Sequence, residues 1–298
     1  MQPVTHPLTP KDREITAAMR AATASHKGEL RGVAARAPFD AIIGMTAPAA
    51  GVTYRAGQIG GVSGWWCTPP NAKDGAVLLH LHGGWFHWGS AEAYRHLVGQ
   101  IALRAGLEAF IPDYRLAPEH PAPAGFEDSE AVYAGLLEKG FQRILLSGDS
   151  AGGNLVLLLA ARRQPLAVVA LSPVTDLSLS GESWHSHAEA EFYFTKDQAE
   201  ELAASYLAGA KATDPAISPL FGDLAHLPPV RIHVGDQEML LDDSRRYWRK
   251  AAAAGADAGL EIWEGMPHGF FGAAGQLDAA DHSLDAVGAF LADRLISD

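Results

Sequence analysis

The sequence is poor in features that would place it outside the cell or in a membrane. Cys67 is the only cysteine among 298 residues, so an intrachain disulfide is excluded and nothing indicates an oxidising compartment. No stretch approaches the roughly 18 consecutive apolar residues of a membrane span. The amino terminus, MQPVTHPLTPKDRE, has neither a basic start nor an apolar run. We therefore expect a cytoplasmic protein with no membrane partner.

Basic residues are scarce as well. Lys and Arg number 23 against 35 Asp and Glu, which gives a formal net charge of −12. Such a charge repels nucleic acid and anionic membrane surfaces, so we expect no nucleic-acid partner. Hydrophobic residues make up 48% of the chain, which is enough for a sizeable core and excludes a disordered protein.

The stretch ILLSGDSAGGN at 144–154 joins a strand pattern to a helix pattern through a G-x-S-x-G pentapeptide centred on Ser150. Small residues at Gly148 and Gly152 allow a tight turn that lifts the serine hydroxyl clear of a sheet. Free N–H groups at the start of the helix would stabilise negative charge beside it. The pentapeptide can arise by chance in a chain with 31 glycines. The strand pattern before it and the helix pattern after it favour a nucleophile elbow.

A second stretch, HGGWFHWG at 82–89, follows the apolar strand pattern AVLLHL at 76–81. Adjacent glycines after a central strand allow the backbone to approach a ligand closely. Their N–H groups can then donate to an oxyanion. We therefore consider Gly83 and Gly84 as oxyanion donors.

Strand and helix patterns alternate along most of the chain, which predicts an α/β fold with a mostly parallel sheet. The predicted strands are 52–55, 64–67, 76–81, 107–112, 143–147, 166–171, 230–234 and 260–263. The predicted helices are 10–22, 91–105, 124–139, 153–163, 196–207, 242–254 and about 278–295. These patterns predict an eight-stranded sheet flanked by helices.

The alternation stops between 172 and about 220, where Trp184 and the aromatic run 192–194 lie near a single helix. An insert at this point of an α/β chain lies over the ligand-binding edge of the sheet. We expect a helical cap at 176–215, with an N-terminal arm at 1–50 that has little strand character, lies outside the sheet and contributes to the cap. The catalytic domain is expected at 51–175 and 216–298.

An activated serine needs a base and an orienting acid, and in α/β-hydrolases these follow in the order Ser, Asp/Glu, His. His268, in MPHGF after the strand at 260–263, is the candidate base. Two residues after the strand at 230–234 are candidates for the acid. Asp236 stands nearest to the strand end, and Glu238 follows it by two positions.

Paired histidines raise the alternative of a metal site. His80 and His82 form one H-x-H pair, and His185 and His187 form another. A histidine beside an oxyanion loop can instead brace the backbone, and the second pair fits a solvated cap loop. We expect no metal and no organic cofactor.

Four stretches together resemble the hormone-sensitive-lipase-like family of bacterial esterases, which have the α/β-hydrolase fold with a helical cap. They are HGGW at 82–85, DYRLAPEHPAPA at 113–124, GDSAGGN at 148–154 and MPHGF at 266–270. The resemblance covers the chain from about residue 75 to its end. It implies a serine carboxylesterase, and a homodimer formed through the strand at 260–263 as a sheet edge.

The resemblance also implies roles for single residues. Ser150 would be the nucleophile and His268 the base. The oxyanion hole would be formed by the backbone of Gly83, Gly84 and Ala151. The family shows D-P-L-x-D-[DE] where this chain has EMLLDD, which places Glu238 at the acid position in preference to Asp236. His82 would anchor the loop. The common family form is H-G-G-G, and the tryptophan at position 85 departs from it.

Bulky aromatics near these motifs suggest an apolar site for short acyl groups or compact rings. The candidate substrate-binding residues are Trp85, Phe86, Trp88, Phe192, Phe194 and Phe270. The alternative is that they form the core of the cap. Two other functions stay open: a lactone or aryl-formamide hydrolase on the same fold, and a non-catalytic small-molecule receptor, although the known receptors of this fold lack the catalytic histidine.

Overall fold

The computed structural model describes residues 2–296. Its strands are β1 (Val4–His6), β2 (Thr53–Ile59), β3 (Val62–Thr68), β4 (Ala76–Leu81), β5 (Glu108–Pro112), β6 (Arg143–Asp149), β7 (Val168–Leu171), β8 (Val230–Gly235) and β9 (Ala258–Trp263). Its α-helices are α1 (Pro10–Thr23), α2 (Arg36–Ile43), α3 (Ala91–Ala105), α4 (Ala124–Glu138), α5 (Ser150–Arg163), α6 (Ser183–Ser186), α7 (Lys196–Leu207), α8 (Leu241–Ala253) and α9 (Asp278–Asp293). Every strand and helix predicted from the sequence is present, with ends shifted by a few residues at most.

The strands form one sheet in the order β1-β9-β8-β7-β6-β4-β5-β3-β2. All neighbours pair in parallel except β2 with β3 and β3 with β5, which are antiparallel. Strand β4 is buried at every position, as expected for an apolar strand that helices cover on both faces. The loops after β4, β6, β7, β8 and β9 leave five adjacent parallel strands at the same edge of the sheet. That edge is where an α/β sheet binds ligands.

The predicted number of strands is wrong by one, because residues 2–296 contribute nine strands rather than eight. The additional strand is β1, which pairs in parallel with β9. The His6 ring stacks on Trp263 with 3.7 Å between ring centroids. Part of the arm therefore belongs to the sheet. The expectation that residues 260–263 form a sheet edge is also wrong, since β1 covers that strand.

The rest of the N-terminal arm is held to the sheet layers by side-chain hydrogen bonds. The buried Asp12 of α1 accepts from the backbone N–H groups of Asp278 and Ala279, at the start of α9. Arg36 of α2 donates to the carbonyls of His87 and Ala117. The arm thus contacts the loop that follows β4, which contains HGGW.

The segment between β7 and β8 carries α6 and α7 and no strand. Within residues 2–296, no helix is long and apolar enough to cross a membrane.

Candidate active site

Ser150 lies at a sharp turn where β6 ends and α5 begins. Its φ of 53° falls in the left-handed region, which a non-glycine residue rarely adopts without support from its surroundings. A Cβ on Gly152 would lie 1.9 Å from the Leu81 carbonyl oxygen, and one on Gly148 would lie 2.5 Å from that of Gly152. Only glycine fits at these two positions, as the sequence pattern predicted. The turn has the geometry of a nucleophile elbow.

The residue before the serine fixes the neighbouring loop. The carboxylate of Asp149 accepts a hydrogen bond from the Gly83 N–H at 2.9 Å and one from the Tyr94 hydroxyl at 3.0 Å. The Gly83 N–H is therefore already engaged and is not free to hold an oxyanion. Among the described residues, the N–H groups of Gly84, Trp85 and Ala151 donate to no protein group. The prediction that Gly83 is a donor is contradicted by this geometry, and Gly84 and Trp85 are the free donors that follow it in the loop.

The loop after β4 keeps an unusual backbone. Trp85 and Phe86 have φ of 53° and 63°, a conformation that costs a non-glycine residue free energy. Hydrogen bonds hold it: the His87 ring donates to the Trp85 carbonyl at 2.7 Å, and the Ala117 N–H donates to the Phe86 carbonyl at 2.9 Å. The free N–H groups of the loop are thus held in place by its contacts before any ligand binds.

The loops after β8 and β9 bring Glu238 and His268 together. Nδ1 of His268 donates to Oε2 of Glu238 at 2.8 Å. The other carboxylate oxygen accepts from the Ser172 hydroxyl at 2.6 Å and from the Gly235 N–H at 2.7 Å. Glu238 is fully buried, so all its acceptor capacity is directed to these three donors. The Nδ1 hydrogen bond fixes the orientation of the ring.

Asp236, the competing acid, has a different place. Its Oδ1 accepts from the Gly265 N–H at 2.7 Å and from the Gln237 side-chain amide at 2.9 Å. These contacts tie the loop after β8 to the loop after β9 without reaching the imidazole. The geometry favours Glu238 over Asp236 as the partner of His268.

The electrostatic surroundings favour a charged imidazole. Burial is the largest single influence on the pKa of His268 and lowers it, but the charge and hydrogen bond of Glu238 together with the charges of Glu191 and Asp149 more than offset it. The net result is a pKa above the ordinary value for histidine. A base with a raised pKa is well suited to hold the proton of an attacking hydroxyl.

Among the described residues, the hydroxyl of Ser150 makes no hydrogen bond. Its position relative to His268 is set through the backbone instead. The Ser150 carbonyl accepts a hydrogen bond from the Val174 N–H at 3.0 Å. Ser172, two residues before Val174, donates to Glu238, the partner of His268. Hydroxyl–imidazole hydrogen bonds are often long or absent before a substrate binds, so this arrangement is compatible with an acid–base pair.

Three aromatic side chains form a cluster beside His268, which we call the aromatic box: Trp85, Trp184 and Phe194. The edge of Phe194 faces the His268 ring at 5.4 Å between centroids, and Trp85 lies 5.6 Å from Phe194. Trp184 lies 6.1 Å from each of the other two. All three are buried. The box joins the loop after β4, the insert and the imidazole.

The other four predicted substrate-binding aromatics do not join this box. Phe86 stacks on Tyr206 at 3.8 Å, and the Trp88 indole N–H donates to the Gly32 carbonyl. Phe270 packs on Phe271 in the part of the hydrophobic core that includes α3 and α9. Phe192 lies under the guanidinium of Arg20. Each of the four packs against another part of the fold, and their role in substrate binding stays a prediction.

The histidine pairs bind protein groups. Nδ1 of His80 lies 2.9 Å from the Ser147 hydroxyl, and Nδ1 of His82 donates to the Gly83 carbonyl at 2.8 Å. Burial lowers the pKa of His82, which keeps its ring neutral, and the ring stacks on Tyr114 at 4.3 Å. These contacts brace the loop backbone as predicted for His82. No group of three or more His, Cys, Asp or Glu in residues 2–296 could hold a metal ion.

Sequence reasoning missed three contributors to the site. Asp149 stands within the GDSAGGN motif, so its place beside the loop could have been suspected. Ser172 and Glu191 stand in no motif, and only the fold brings them to Glu238 and His268.

Comparisons with known proteins agree with this fold. A family model described as the alpha/beta hydrolase fold matches residues 78–272. An acetyl-hydrolase from Streptomyces hygroscopicus is 37% identical over 241 residues, which cover 78% of this chain and 80% of that protein. An esterase from Acinetobacter venetianus is 36% identical over 203 residues, covering 65% and 67%.

A solved structure extends the likeness over nearly the whole chain. The crystal structure of an esterase from the bacterial hormone-sensitive lipase (HSL) family superimposes with a TM-score of 0.90 at 35% identity. The match covers 97% of this chain and 100% of that one. The chain therefore belongs to the α/β-hydrolase-fold family and, within it, to the HSL-like esterases, which are carboxylic ester hydrolases.

Proposed function

We propose that this carboxylesterase acts on small esters with short acyl groups, through an acyl-enzyme on Ser150. The observation that carries the proposal is the hydrogen-bonded pair of Glu238 and His268. The pair lies at the carboxyl ends of the parallel strands, where the turn at Ser150 also lies. His268 takes the proton of the serine hydroxyl, and the oxygen attacks the ester carbonyl. The alcohol leaves with that proton, and water then releases the acid by the same path.

The oxyanion of the tetrahedral intermediate would be held by the N–H groups of Gly84, Trp85 and Ala151. All three are free among the described residues, and Ala151 stands in the first turn of α5, where the helix dipole also favours negative charge. One such donor typically contributes ~2.7–4 kcal/mol to lowering the barrier. Trp85 replaces Gly83 in this proposal, because the Gly83 N–H donates to the carboxylate of Asp149.

The short-acyl preference rests on the aromatic box. Its three large side chains pack against one another, and Phe194 contacts His268, so the box would limit the length of an acyl chain bound there. One relative is itself named an acetyl-hydrolase, which supports the same preference. We further propose that residues 176–215 and the arm together form the cap over this site.

A fluorophosphonate probe and a series of p-nitrophenyl esters test the proposal. Labelling and hydrolysis should be lost in Ser150→Ala and kept in Ser186→Ala, which changes an exposed serine of the insert. Hydrolysis should be fastest for acetyl to butyryl esters and fall steeply toward dodecanoyl esters. Unchanged labelling of Ser150→Ala would overturn the assignment of the nucleophile. The best rates on long acyl chains would overturn the short-acyl preference. Phenyl acetate compared with formanilide and a simple lactone separates an esterase from the two related hydrolases.

A cytoplasmic location and a homodimer stay predictions. Because β1 covers β9, a dimer would have to use β1 or another surface. Light scattering on the purified protein would measure its mass in solution.

A further inference from the structure

Glu191, in the loop between α6 and α7, is a carboxylate in an unusual place. It is 2% exposed, and the ion pairs of the described residues do not include it. Oε1 accepts from the N–H groups of Phe192 and Tyr193 at 2.9 and 3.1 Å, and Oε2 accepts from the Met239 N–H at 3.3 Å. Burying a carboxylate without a cation is costly, so the position calls for a function.

The Met239 contact connects two parts of the site. Met239 directly follows Glu238, so the carboxylate of Glu191 holds the backbone that carries the acid of the proposed triad. The same loop of the insert continues to Phe194, whose edge faces His268. Glu191 therefore links the insert to the loop after β8.

The charge of Glu191 also acts on the imidazole. It interacts electrostatically with His268 and with Glu238, and it favours the protonated form of His268. Burial raises the pKa of Glu191 to about 7, the charge of His268 opposes this effect, and Glu238 adds to it. The carboxylate of Glu191 therefore carries most of its negative charge above about pH 7 and loses it as the pH falls below that value. The nearby guanidinium of Arg20 donates to the carbonyls of Glu189 and Ala190, on the same loop.

The remaining charged and titratable groups around this pair are few. Asp149, at the end of β6, also interacts electrostatically with His268, and burial together with the charge of Glu191 raises the pKa of the Tyr193 hydroxyl on the same loop. Through-space attraction between opposite charges is strong where water is excluded. A second carboxylate near the ring therefore stabilises the imidazolium in addition to Glu238.

We propose that Glu191 is a positioning residue of the catalytic pair: it fixes the acid-bearing loop through Met239 and supplies a second negative charge that stabilises the imidazolium of His268. This inference rests on the proposed function of His268 as base. It assigns to the insert a part in positioning the catalytic pair, besides covering the site.

The test measures the pKa of His268 directly, by NMR titration of its ring in a Ser150→Ala background, where no turnover is needed. Glu191→Gln keeps the size of the side chain and removes its charge. We expect the pKa of His268 to fall by at least about half a pH unit. Glu191→Asp keeps the charge and should restore most of the shift. Glu189→Gln removes an exposed charge from the same loop and should change nothing.

Kinetics of the same substitutions with Ser150 intact complete the test. Glu191→Gln should lower kcat about tenfold, with KM within about twofold of the wild type, and move the acid limb of the kcat/KM profile to lower pH. Equal His268 pKa values in Glu191→Gln and Glu189→Gln would overturn the inference. If Glu191→Gln fails to fold, the pKa of His268 is compared in Glu191→Asp and Glu189→Gln instead. A pKa in Glu191→Asp that is lower by about half a pH unit or more would overturn the inference, because aspartate keeps the charge. The titration does not depend on activity, so failure of the proposed function would appear separately, as activity retained by Ser150→Ala.

Discussion

Replacing Glu238 by glutamine should disable the base through the tautomer of His268. Oε1 of Glu238 accepts two hydrogen bonds, from the Ser172 hydroxyl and the Gly235 N–H, whereas Oε2 accepts one, from His268. A glutamine has one oxygen and one NH2 group. Its oxygen satisfies more donors in the Oε1 position, so the NH2 group would face Nδ1 of His268. That ring nitrogen would then have to accept, and the proton would move to Nε2, the nitrogen required as base.

The expected loss follows from this wrong tautomer together with the lost negative charge. In serine proteases with a Ser-His-Asp triad, the acid-to-amide change lowers kcat by about 10⁴, equivalent to about 5.4 kcal/mol of barrier. We expect a loss of about 10³–10⁴ in kcat here, with little change in KM. Asp236→Asn should cost less than about tenfold, because an asparagine oxygen can still accept from Gly265 and Gln237.

The assay is steady-state hydrolysis of p-nitrophenyl acetate by the two variants and the wild type, with circular dichroism as the control for folding. The reverse ranking, in which Asp236→Asn loses far more kcat than Glu238→Gln while both remain folded, would refute the reasoning. It would mean that the hydrogen bond between Glu238 and His268 does not contribute to the reaction.

Three further predictions concern packing and pH. Trp85→Gly should relieve the strain of the left-handed backbone at this position and open the aromatic box. In a chain-length series, the ratio of octanoyl to acetyl ester hydrolysis should then rise at least about tenfold. An unchanged ratio would contradict the role of the box. Gly152→Ala should destabilise the protein by about 1–3 kcal/mol or more in urea unfolding, since its Cβ would collide with the Leu81 carbonyl, and a variant as stable as the wild type would contradict this packing. Burial lowers the pKa of His233 to about 3, so the folded state binds its proton less readily than the unfolded chain does. Its contribution is therefore complete above about pH 6.5 and is lost by up to about 1.4 kcal/mol per pH unit as the pH falls toward 3, and His233→Gln should flatten this dependence in denaturant unfolding measured from pH 7 to 4.

Much of the fold could be predicted because it depends on local patterns. The apolar run of β4 and the helix spacing of α3 and α7 predicted those elements with the bounds that the structure shows. Strand β1 was missed because Val4–His6 has only three residues, two of which are exposed, so it shows no apolar pattern. Its pairing with β9 is a long-range contact. The same contact made the predicted sheet edge wrong.

The candidate site divides in the same way. Sequence alone determined the turn at Ser150 and the glycines that permit it, because these depend on residues close together in the chain. The chain order of the proposed serine, acid and histidine can also be read directly from the sequence, although these residues are far apart in it. Only the tertiary structure decided which N–H groups of the HGGW loop are free, since Asp149 reaches Gly83 across 66 positions. It also decided which aromatics surround His268 and placed Glu191 behind the acid loop, because burial and charge at these positions arise from segments that meet only when the sheet and the insert are assembled.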